Sequence, residues 1–122
     1  MIKHIVCFKL KDNSEEKKQE AKKVLLSMDG KVDLIKAIEV GTDFLSSARS
    51  YDIILQVTLE NKEALDLYQK DEYHCGEVKP YMHSVMESSV AVDYELSFII
   101  VYNKTSLVKG RSFFVTNIFI SY

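Results

Sequence analysis

MIKHIVCFKL, residues 1–10, alternates with the period of two that a pleated strand imposes, placing Ile2, His4, Val6, Phe8 and Leu10 on one face. Lys3, Ile5, Cys7 and Lys9 fall on the other. The pattern predicts a first strand with one buried face, and it raises a problem. An imidazole at position 4 shares the face that buries hydrocarbon, so it needs a polar partner or must stay neutral.

Downstream, KDNSEEKKQEAKKVLLSMDGK carries Asn13 or Ser14 as a helix N-cap, Glu15 and Glu16 in the first turn, and Gly30 as a stop. Ala21, Val24, Leu25 and Met28 recur at i, i+3, i+4 and i+7, which gives that helix one apolar stripe and a solvated Lys-rich back. LIKAIEVGTDF predicts a second strand ending near Gly41, followed by the polar loop LSSARS. YDIILQVTLE alternates again, with Tyr51, Ile53, Leu55, Val57 and Leu59 together.

Asn61 then caps a helix to about Lys70 whose Ala64, Leu65 and Tyr68 turn inward. A helical piece is expected over residues 73–85, kinked around the only proline, Pro80. SSVAVDYEL closes the series as a strand with Val90, Val92 and Tyr94 on one face.

The order βαββαβ predicts an α+β, ferredoxin-like antiparallel sheet with helices on one side only. The other side, carrying Ile5, Cys7 and Ile54, is then bare in a monomer, and a two-fold homodimer with facing sheets is the expected way to cover it.

The 122 residues fit one domain, and 47% hydrophobic with 28% charged residues excludes global disorder. The net charge of −2 divides unevenly, −5 over residues 1–96 and +3 over residues 97–122, which sets a boundary near Ser97. The tail SFIIVYNKTSLVKGRSFFVTNIFISY is β-prone, with turns expected at Asn103-Lys104 and Lys109-Gly110. It is either a hairpin packing on a partner, the preferred alternative, or a segment foreign to the fold. Only two arginines, and lysines mixed with acids, speak against nucleic acid as a partner. No run approaches membrane-spanning length and no leader pattern opens the chain, so a cytoplasmic protein with Cys7 and Cys75 reduced is expected.

The segments IKHIVCFKLK, GKV, IEVGTDF, RSYDIIL, YQKDEYH and SSVAVDYE, in this order across residues 1–96, resemble the stress-responsive A/B barrel (Dabb) family of dimeric α+β barrels. Residues 97–122 lie outside the resemblance. Most bacterial proteins of this type have no assigned reaction. A plant branch is a cofactor-independent polyketide cyclase that closes a ring by aldol chemistry in a cavity between sheet and helices. The resemblance implies that His4 matches its first-strand histidine, Tyr68 its helical tyrosine, and His74 its acid/base. The chain departs from that branch at Ile53, where the cyclase has a histidine, and at Asp71-Glu72, which replace a His-Pro pair; Ser89 stands where bacterial relatives often carry arginine.

The candidate site is therefore His4, Tyr68 and His74, lining a small pocket for an aromatic or carbonyl-bearing molecule, with no cofactor and no metal. The alternative is an enzyme in which His74 moves a proton and Tyr68 stabilises an oxyanion. Asp71 and Glu72 are expected to raise the pKa of His74, and Tyr68 is a candidate partner for His4. Asp52 and Asp93 are expected to be structural, paired with backbone or lysine, and His83 falls nine positions from His74, off its helical face.

Overall fold

The structure, a computed structural model, describes residues 1–102, 106–108, 111–113 and 116–121, with side chains as far as Ser97. Its first 95 residues run β1 (Ile2–Leu10), α1 (Glu15–Leu26), β2 (Ala37–Thr42), β3 (Ile53–Leu59), α2 (Lys62–Gln69), a wide π-helical turn (His74–Val78), α3 (Lys79–Val85) and β4 (Met86–Glu95). The four strands form one antiparallel sheet in the order β2-β3-β1-β4. This is the ferredoxin-like arrangement, with β1 at the centre between β3 and β4.

Local chemistry sets the helix starts. The Ser14 hydroxyl accepts from Lys17 N–H at 3.4 Å, and Asn61 Oδ1 accepts from Ala64 N–H at 2.8 Å, each satisfying an otherwise orphaned donor. Gly30 does adopt a left-handed φ of 80°, but α1 ends four residues earlier, at Leu26, and a tight turn fills the interval.

The core lies between the helices and the face of the sheet predicted to be buried. Leu55, Val57 and Leu59 of β3 share one core with Ala21 and Leu25 of α1 and with Met28 in the turn after it, all at 2% exposure or less. Each fully buried aliphatic chain of this size contributes roughly 1.5–3 kcal/mol relative to exposure. This layer fixes the register, because a one-residue slip of β1 would turn Ile2, Phe8 and Leu10 out of the core.

The reverse face carries no helix. There Cys7 lies between Ile54 of β3 and Val90 of β4, and Ile5 lies opposite Val92. Val90 and Val92 remain 49% and 62% exposed, so an apolar strip crosses three strands in the open.

The kink expected at Pro80 takes another form. The irregularity is the wide turn before it, where Lys79 N–H reaches back five residues to the carbonyl of His74, and Pro80 sits in the first turn of α3, where a missing N–H costs little.

Beyond Leu96 the backbone forms its own antiparallel ladders, β5 (Ser97–Tyr102) with β8 (Thr116–Ser121) and β6 (Ser106–Val108) with β7 (Arg111–Phe113). Neither ladder is continuous with the four-stranded sheet. The turns expected at Asn103-Lys104 and Lys109-Gly110 lie outside the described residues. Among the described residues no helix is long and apolar enough to cross a membrane.

Candidate small-molecule pocket

Three elements deliver the three expected side chains to one place. His4 projects from the buried face of β1, Tyr68 ends the inward stripe of α2 one turn after Ala64, and His74 opens the wide turn. Tyr68 lies between the two imidazoles. Its ring meets His4 edge-on at 5.6 Å between centroids and stacks on His74 at 4.5 Å, with 23° between planes. All three line a cavity of about 210 Å³ whose walls include Phe8, Leu55 and Met82. That volume lies below the roughly 300–1,000 Å³ usual for drug-sized ligands, so an occupant is small.

His4 finds its partner across the sheet. Asp93 is its register neighbour on β4, and His4 Nδ1 is hydrogen-bonded to Asp93 Oδ1. The carboxylate oxygen accepts here, so Nδ1 is the donor and Nε2 takes no part in this bond. Two expectations are corrected here: Tyr68 is not the polar partner of His4, and Asp93 binds a histidine rather than backbone or lysine. Asp52 does serve the backbone, accepting from Leu10 N–H at 2.7 Å.

The Tyr68 hydroxyl donates away from both imidazoles, to Met28 Sδ at 3.6 Å. Burial, helped by the Asp71 charge, pushes its pKa well above the ordinary phenol value, so the phenol stays protonated. What Tyr68 gives the site is ring surface.

His74 also differs from expectation. Its pKa is lowered, first by burial and then by the Lys79 charge, with His4 acting in the same sense; the Tyr68 backbone and Asp71 pull the other way and are outweighed. Asp71 is engaged elsewhere, its Oδ2 accepting from the backbone N–H of His74 at 3.0 Å. His74 is 9% exposed, and among the described residues its buried Nδ1 has no hydrogen-bond partner. Protonating both nitrogens would leave a charged donor buried and unpaired, so the ring is neutral near pH 7.

Beyond the three expected residues the cavity is lined by Gln69, Lys79, His83 and Ser89. Nine residues along a regular helix put His83 off the face of His74. The wide turn takes up extra chain, and His83 reaches the rim. Ser89 does line the cavity, whereas Ile53 is buried in the core and does not. Cys75 is exposed, its thiol donating to the carbonyl of Gln69 at 3.1 Å, and takes no part in the lining. Among the described residues no group of three or more His, Cys, Asp or Glu side chains is placed to hold a metal ion.

The fold recurs in solved structures. A dimeric protein of unknown function with a ferredoxin-like fold from Bacteroides fragilis is 27% identical, with a TM-score of 0.64 over 77% of this chain and 94% of that one. A protein from Arabidopsis thaliana is 24% identical, with a TM-score of 0.69 over 81% and 98%. A Dabb family protein with a ferredoxin-like fold from Mesorhizobium loti is 21% identical, with a TM-score of 0.61 over 77% and 94%. A search of the curated proteins finds no match. The family model for the stress responsive A/B barrel domain matches residues 2–96, and the chain belongs to that family, Dabb.

Proposed function

We propose that the protein is a cytoplasmic homodimer that holds one small aromatic or carbonyl-bearing molecule per subunit in the cavity beneath its helices. The observation that carries this is the clustering of His4, Tyr68 and His74, from three separate elements, around a void rather than around packed side chains. The uncovered strip of Ile5, Cys7, Ile54, Val90 and Val92 supports the dimer, as do the descriptions of similar structures as dimeric. Two free thiols suit a reducing compartment.

Calorimetric titration of phenol and acetophenone into wild type and Ala91→Phe tests the pocket. Ala91 lines the cavity and is exposed, so a larger ring there occupies the void without disturbing the core. Binding to wild type that is lost in the variant supports the proposal. Equal binding to both, or no binding to either, removes it.

A second function is favoured by the His4–Asp93 pair: cofactor-independent proton transfer. Here the free Nε2 of His4 takes a proton from carbon next to a carbonyl, the C–H electrons pass to the carbonyl oxygen, and neutral His74 donates a hydrogen bond to it. The base in this scheme is His4, not His74. Its test is loss of deuterium from methyl-deuterated acetophenone in water. Exchange catalysed by wild type and abolished in His4→Gln supports the enzyme, and exchange at the buffer rate leaves only binding.

A further inference from the structure

Among the described residues the cavity lining carries one full positive charge, Lys79, and no negative one. His4, Gln69, His74, Lys79, His83 and Ser89 line it, and no carboxylate does. Two acids bonded to lining residues are engaged outside it, Asp93 on His4 Nδ1 and Asp71 on the backbone N–H of His74. Among the described residues no carboxylate oxygen lies within ion-pairing distance of Lys79 Nζ. The Lys79 charge is nonetheless close enough to disfavour protonation of the buried His74 ring. The rest of the lining is largely hydrocarbon and includes Val6, Phe8, Leu55 and Met82.

We infer that the ligand is a small monocarboxylate with an apolar, ring-sized body, its carboxylate turned to Lys79 and His83 and its body set against Phe8 and Leu55. The inference rests on the pocket proposed above and adds the charge of what fills it. A carboxylate placed there gains a cation that has no competing partner and donors from the imidazoles, while a neutral isostere gains only the donors. Lys79 is a specificity-determining residue here rather than a structural one, because it is exposed and forms no ion pair among the described residues.

The experiment is titration of benzoate and benzamide into the full chain, followed by calorimetry and by the ring resonances of labelled histidine, in wild type and Lys79→Gln. The expected result is benzoate bound about tenfold more tightly than benzamide, a shift of the His74 ring on binding, and a benzoate-to-benzamide preference reduced severalfold in Lys79→Gln. Equal affinity for the two ligands, or a benzoate preference intact in Lys79→Gln, overturns the charge assignment and leaves the pocket standing. Benzoate binding that leaves His74 unshifted places the anion elsewhere and also overturns it. Binding of neither ligand removes the pocket itself, and this inference with it.

Discussion

His4 and Asp93 are 89 residues apart in the chain and direct neighbours across the β1–β4 ladder, joined through Nδ1 and a carboxylate oxygen. The pair resolves the difficulty posed by an imidazole on a hydrocarbon face. It also leaves the second nitrogen of His4, Nε2, outside that bond. Asp93→Ala strands the buried Nδ1 and is expected to cost about 1–3 kcal/mol, whereas Asp93→Asn keeps an acceptor in place and costs less. Urea denaturation of the two variants at pH 7 checks the order.

Tyr68 is wholly buried and its hydroxyl meets only a thioether. Tyr68→Phe is therefore expected to lose less than about 1 kcal/mol and to keep ligand affinity, while Tyr68→Ala loses roughly 3–5 kcal/mol through the void left between the imidazoles. A large drop in affinity for Tyr68→Phe, measured by calorimetry, would return the hydroxyl to the site.

The lowered pKa of His74 gives stability a defined pH dependence. In the unfolded chain the ring protonates as pH falls through about 6.5, while in the fold it stays neutral to lower pH, so the unfolded state binds more protons over that interval. Stability is thus full above about pH 6.5, declines as pH falls toward the folded pKa, and levels off below it. Denaturation midpoints at pH 7.5 and 5.5 are expected to differ less in His74→Gln than in wild type, other titrating groups being common to both.

Facing sheets in the proposed dimer place Val92 and Ile5 at the interface. Val92→Lys, on a strand position already 62% exposed, is expected to halve the mass measured by sedimentation while leaving the circular dichroism unchanged. Deleting residues 97–122 and repeating the measurement tells whether the tail contributes to assembly.

The strands and helices were legible where burial has a simple period. Alternation in β1 and β3, the stripe of α1 and the caps at Ser14 and Asn61 are local signals, and each marks its element correctly. The convergence of His4, Tyr68 and His74 was legible only with the topology and the family resemblance added to that pattern. What escaped depends on longer-range geometry. The Asp93 partner follows from strand register, which no single strand encodes, and His83 joins the rim through a turn that breaks the 3.6-residue count. The pKa of His74 was misjudged because Asp71 and Glu72 are near in sequence, whereas burial and Lys79 dominate in space.

The measurement that bears most directly on a shared cavity is a titration of ring-labelled histidine with one small ligand, benzoate, followed at His4 and His74 together. A cavity lined by both predicts that the two rings respond along one binding curve with the same dissociation constant, and that both responses vanish in Ala91→Phe. Rings that respond at different ligand concentrations, or only one that responds, would contradict it.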